Sequence, residues 1–201
     1  GSCGTCGTAS TVDWMFEITC ELAAELGQTL RVARLYSDVP VEALRHARDA
    51  DRLTPLHPAQ ALDDAVLADM TNIVALAGAE QIQAAINTGA DVVLAGRATD
   101  TATIAALPLA HGAHAGGAWH GAKIAECGAF CTTRPASGVI MVSFDETGFT
   151  VTPMGEGVQC TPQSVAAHML YENSDPWILH EPGGHLDVTA ATYTEAAQHG
   201  V

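Results

Sequence analysis

Apolar positions along the chain fall into two periods. Met15, Ile18, Leu22 and Leu26 recur at helical spacing behind Ser10 and Asp13, a cap-like pair, and Gly27 ends the run. Leu30 to Asp38 (LRVARLYSD) predicts a strand, and Val41 to Asp51 an exposed, arginine-rich helix. LTPLHPAQAL, broken by two prolines, predicts a loop. Ile73 to Ala77 is an unbroken apolar run, as expected of a strand buried on both faces. Ala79 to Thr88 is helical, with Ile82, Ala85 and Ile86 facing inward and Gly89 ending it. Asp91 to Ala95 is a second buried strand; a tight loop, Gly96 to Thr99, leads to a helix starting at Asp100. This βαβα order predicts that Ile73–Ala77 and Asp91–Ala95 are adjacent parallel strands.

The second half continues with a predicted helix from Trp119 to Cys131. Two alternating runs around Glu146-Thr147-Gly148 signal a β-hairpin, and a helix opens on Pro162. The tail from Trp177, with its EPGGHLD stretch, reads as loop. The expected fold is α/β: a mostly parallel sheet of βαβ units with flanking helices, plus a β-hairpin after the Trp119–Cys131 helix. Residues 1–201 are expected to form a single domain. The first residues already read as the interior of a fold, so the chain is expected to be part of a longer protein.

Composition narrows the function. Hydrophobic residues make up 48% and charged residues 15% of 201, which is globular. Net charge is −15, with one lysine and seven arginines. That excludes nucleic acid or an anionic membrane held by bulk charge, and any anionic ligand must be held by local groups. No apolar run is long enough to cross a bilayer, and no secretory pattern is present. Six cysteines are too few for a disulfide scaffold and fit a reducing cytoplasm.

LAGRATD lies at a strand's carboxyl end, where ligands gather in parallel sheets. Gly96 allows close approach, Arg97 offers a forked cation, and the helix beginning after Thr99 offers free N–H groups. Together they predict an anion site; the competing reading pairs Arg97 with Asp91 or Asp100. The opening GSCGTCG, through Gly4, Thr5 and Gly7, has the same logic of glycines leading into a helix, although it is neither a P-loop nor a full dinucleotide fingerprint. Cys3 and Cys6 have C-x-x-C spacing, and Cys127 and Cys131 have three residues between them, so zinc ligation and a redox pair are both open. Small residues lining a tight loop are the preferred reading, with no metal.

On the helix AWHGAKIAECGAFC, His120, Lys123 and Cys127 share a stripe, with Glu126 beside it. Lys123 and Glu126, with Asp100, are candidates for proton transfer. A plain surface ion pair is the preferred reading of Lys123 and Glu126. His168 reads as a core histidine or a support for a ligand-contacting residue. No serine-nucleophile elbow is present.

GAEQIQAAINTGADVVLAGRATDTATIAALPL, AWHGAKIAECGA and CTPQSVAAHMLYENSDPWILHEPGG, in this order, resemble the acyclic terpene utilisation (AtuA-type) protein family, and GSCGTCGT…VDW fits its second glycine-rich loop. Gln81 departs from it, standing where the family pattern has proline. The resemblance implies a longer protein with a further glycine-rich segment ahead. It implies bacterial catabolism of branched terpenoid acids through acyl-CoA thioesters. The expectation is a cytoplasmic lyase, hydratase or isomerase acting on a small carboxylate or acyl-CoA, with no evident cofactor. The expected assembly is a homo-oligomer, with or without a small accessory subunit. The alternative is a non-catalytic subunit that binds such a ligand or scaffolds an acyl-CoA-processing complex.

Overall fold

The computed structural model describes residues 3–201; Gly1 and Ser2 of the opening motif lie outside them. The chain divides into two compact units, one running up to Leu76 and including Thr88–Ala98, the other comprising Ala77–Asn87 and Thr99–Val201.

In the first unit, helix α1 (Ala9–Glu25) starts two residues earlier than the cap-like Ser10 suggests, with Thr8 as its N-cap. The Asp38 carboxylate accepts from the Ala9 amide at 2.7 Å and satisfies the first orphan N–H of α1. Val12 is the buried residue of α1, while Leu22 and Leu26, half of the predicted stripe, are exposed. Strand β1 (Val32–Leu35) is followed by α2 (Val41–Asp49), which buries no residue, as expected of its arginine-rich sequence. The proline-broken loop is followed by a short helix, α3 (Asp64–Asp69), capped by the Asp63 side chain and anchored by buried Leu67.

Helix α4 (Ala79–Ile86), in the second unit, buries Ala79, Ile82 and Ala85. Back in the first unit, β2 (Val92–Ala95) pairs in parallel with β1, in register Val32↔Val92 through Leu35↔Ala95. This corrects the expected sheet. Ile73–Ala77 is not the partner of β2: Val74 makes only an isolated antiparallel bridge to Asp38, and Leu76 is exposed. A five-residue apolar run does not specify its partner; here β1 takes β2, and the run only brushes the chain beyond β1. Among the described residues no large parallel βαβ sheet forms. All three sheets among the described residues are two-stranded, one parallel and two antiparallel.

The second unit continues with α5 (Asp100–Ala110), whose N-cap Thr99 accepts from the Ala102 amide at 2.9 Å. Helix α6 (Ala115–Glu126) starts before Trp119, and the rest of the predicted helix, Gly128–Cys131, is a 3-10 turn. The predicted hairpin is present as β3 (Ile140–Phe144) and β4 (Phe149–Pro153), paired Phe144↔Phe149 across the Glu146–Gly148 turn. Glycines let α6 lie on it: a Cβ on Gly117 would meet Gly148 Cα at 2.6 Å, and one on Gly121 would meet Phe144 at 2.7 Å. Buried alanines 102, 105 and 106 of α5, and 118 and 122 of α6, leave room for side chains between elements.

Helix α7 (Pro162–Ala167) has Pro162 at N1 and a capping box from Thr161 and Ser164. The EPGGHLD tail, expected as loop, is a second hairpin, β5 (Ile178–Glu181) and β6 (Gly184–Asp187). Pro182-Gly183, with φ +88° at the glycine, is the proline–glycine sequence of a type II turn. Ile124, Cys131, Val151, Cys160, Val165, Met169, Leu186, Val188 and Val201 form the core of this unit.

Candidate active site

Lys123 lies on α6, and Glu126 one turn further on, so one face carries both. Their side chains are 4% and 8% exposed, and they form an ion pair. The surface pair preferred from the spacing is therefore corrected: the pair exists, but inside the unit. Burial follows from what surrounds α6, with the β3–β4 hairpin on its glycine face and α5 on its alanine face. Two charges taken out of water cost several kcal/mol each unless closely paired and hydrogen-bonded. Here Thr101 Oγ1, from the first turn of α5, donates to Glu126 Oε2 at 2.7 Å.

Two further groups join this pair. Glu181, at the end of β5, is half-buried with its Oε2 buried and without a hydrogen-bond partner. Burial pushes its carboxyl pKa up and the Glu126 charge adds to that, against hydrogen bonding to Thr99 and Thr101 and the Lys123 ammonium. His168, after α7, is 3% exposed with both ring nitrogens unpartnered. Burial lowers its pKa, and Lys123 lowers it further. Thr99, Thr101, Lys123, Glu126, His168 and Glu181 thus form a buried polar cluster drawn from α5, α6, the turn after α7 and β5. A cavity of about 140 Å³ adjoins Glu181, and one of about 420 Å³, walled by Phe130 and Tyr171, adjoins His168.

Elsewhere in this unit, His120 Nε2 and the Tyr193 hydroxyl are 2.9 Å apart beside a cavity of about 500 Å³. Burial brings the His120 pKa down to about 4, so the ring is neutral near pH 7.

Of the residues expected to bind an anion, Gly4, Thr5, Gly7, Gly96 and Arg97 belong to the first unit and Thr99 to the second; Asp100, expected to transfer protons, is also in the second. In the first unit the opening loop and the end of β2 meet. The Arg97 amide donates to Gly7 O at 3.1 Å, and Arg97 Nη1 donates to Thr5 O at 3.1 Å. A Cβ on Gly96 would lie 2.7 Å from Gly7 O, so these glycines make the close approach possible. Arg97 Nε is buried without a partner, and Asp91, one proposed structural partner, is ion-paired with Arg31. In the second unit, Asp100 is exposed in the first turn of α5.

Cys3 is half-buried and Cys6 exposed in the first unit, while Cys131 lies in the core of the second beside Cys160. Burial, reinforced by Cys160, pushes the Cys131 thiol up to about 12, far from a reactive thiolate. Among the described residues no group of three or more His, Cys, Asp or Glu side chains is placed to hold a metal ion. No helix among them is long and apolar enough to cross a membrane.

Glu181 and Thr101 were not singled out from sequence. Pro182-Gly183, between two short alternating runs, was the available signal for the hairpin that carries Glu181.

No curated protein and no solved structure matches the chain. The family described as acyclic terpene utilisation family protein AtuA matches residues 6–201, nearly the whole sequence, and the chain belongs to that family.

Proposed function

We propose that the chain is a catabolic enzyme of acyclic terpenoid and branched-chain acid degradation. Its substrate is a small organic acid or acyl-CoA thioester, and its reaction is a lyase, hydratase or isomerase step in which a proton is moved. Membership of the terpene utilisation family supports the pathway. The observation that carries the chemistry is the buried Lys123–Glu126 ion pair. A helix spends several kcal/mol of desolvation on such a pair, and positions of that kind are where proton-transfer groups are found. Glu126 serves as base and Lys123 holds the charge that develops when a proton leaves carbon; Asp100, exposed at the start of α5, is the alternative proton carrier. Within the first unit, Arg97 offers a forked guanidinium to a carboxylate or phosphate. Six free thiols fit a reducing compartment, the cytoplasm.

The test is incubation of the protein in D₂O with a panel of branched organic acids and acyl-CoA thioesters, followed by mass spectrometry. Uptake of deuterium or water by one substrate is expected, and Glu126→Gln should abolish it. No mass change in any compound overturns the enzymatic reading.

A second reading, a binding or scaffolding subunit, is favoured by one observation. Trp14, Leu22 and Leu26 stay exposed along α1, leaving apolar surface for another protein.

A further inference from the structure

The buried cluster holds one cation, Lys123, and two carboxylates, Glu126 and Glu181. Lys123 is ion-paired with Glu126, which also accepts from Thr101. Glu181 has no ion-pair partner of its own: its Oε2 is buried without a hydrogen-bond partner, and only the neutral Thr99 and Thr101 hydroxyls lie beside the carboxyl. A full negative charge on that oxygen would be buried and unpaired, next to a second carboxylate. With a proton on Glu181, one ammonium, one carboxylate and one neutral carboxyl sum to zero charge.

The hairpin turn decides where that group faces. Pro182 and Gly183 follow Glu181 directly, and they form, with Glu80, Trp119, Gly184 and His185, the wall of the 140 Å³ cavity that Glu181 also lines. The titratable and charged groups around Glu181 are Lys123 and Glu126 on α6, Glu80 on α4 and His185 on β6; the Thr99 and Thr101 hydroxyls flank it from α5.

We infer that Glu181 is a further acid–base residue of this site, carrying the exchangeable proton of the buried cluster and delivering it to an oxygen of a ligand in the cavity beside it. The ligand class is a compound with a compact oxygen function, such as a carbonyl that gains negative charge as the reaction proceeds. The O–H bond on Glu181 breaks, its electron pair stays on the carboxylate, and a new O–H bond forms on the ligand oxygen. The nearby Lys123 ammonium steadies the resulting carboxylate until a solvent proton restores the acid. The use of the proton rests on the enzymatic reading above; its position does not.

Infrared spectroscopy of the protein at neutral pH tests this without any substrate. A protonated carboxyl shows a carbonyl stretch separate from the carboxylate bands of the other acidic residues. That band is expected in the wild type, is expected to vanish in Glu181→Gln, and is expected to persist in Glu126→Gln. Glutamine matches the shape and neutrality of a protonated glutamate, so Glu181→Gln should fold. Side-chain ¹³C NMR of Glu181 in the unmutated protein gives the same answer independently of any variant. Absence of the band, a band untouched by Glu181→Gln, or a Glu181 carbon resonance of the ionised form at neutral pH would each overturn the inference. Deuterium uptake without the band would sink Glu181 and leave the enzymatic reading standing; the band without turnover would do the reverse.

Discussion

The ammonium of Lys123 meets the carboxylate of Glu126 inside the second unit, and both side chains are less than a tenth exposed. Removing one partner leaves the other charge buried alone. Lys123→Met should destabilise the protein by about 3–5 kcal/mol, whereas the double change Lys123→Met with Glu126→Leu should recover most of that loss. Urea unfolding of the two single variants and the double variant checks it. Additive losses would mean that the two side chains do not depend on each other.

Arg97 reaches back to the opening loop, and its role is separable from folding. Arg97→Lys keeps the charge but loses the fork that grips a carboxylate or phosphate, worth about 1.5–3 kcal/mol. An anionic ligand should bind about tenfold to a hundredfold more weakly. The Nη1 bond to Thr5 O is a single contact, so folding stability should move by no more than about 1 kcal/mol. Calorimetric titration with the organic acid that stabilises the wild type most, alongside thermal melts, checks both. Unchanged affinity with a collapsed melting temperature would make Arg97 a structural strut for the loop.

Local signals were the legible part of this fold. Asp100 and Pro162 marked helix starts, and Glu146-Thr147-Gly148 marked a hairpin, because helix ends and turns depend on residues a few positions apart. Pairing between distant segments was not legible. Nothing in Ile73–Ala77 distinguishes it from a strand, yet β1 chose β2. The site divided in the same way. The spacing of Lys123 and Glu126 showed that they share a helix face. Whether that face is wet or dry depends on Gly117, Gly121 and the hairpin they admit, which are contacts across long stretches of sequence. Glu181 stands at the end of a strand whose sequence reads as loop.

Two glycines with similar backbones should respond differently to alanine. Gly27 has φ +63° with open space around it, so Gly27→Ala should cost about 1 kcal/mol of conformational strain. Gly7 has φ +70°, and a Cβ there would stand 2.3 Å from the Arg97 amide nitrogen. Backbone cannot give way as a side chain can, so Gly7→Ala should cost about 2–4 kcal/mol. Denaturant midpoints of the two variants check the order. Equal losses would show that the loop and the end of β2 are not in contact in solution.

His120 sets an acid limit on stability. Its pKa is brought down to about 4 by burial, against about 6.5 for an exposed histidine. The folded chain therefore refuses a proton that the unfolded chain accepts, and the unfolded state binds more protons throughout that window. Stability from this group is complete above pH 6.5 and is lost as pH falls toward 4, by about 3 kcal/mol. His168, also lowered by burial, adds in the same direction. Glu181 works oppositely: with its pKa raised, its contribution is complete at low pH and is lost as pH rises. Urea unfolding between pH 4 and pH 8 should show the acid loss in the wild type. His120→Gln keeps a polar partner for the Tyr193 hydroxyl but cannot titrate, so its acid limb should be shallower by about 3 kcal/mol. An identical acid limb in His120→Gln would mean that His120 takes up its proton without unfolding, and that its ring is not sealed against Phe149 and Tyr193 as found here.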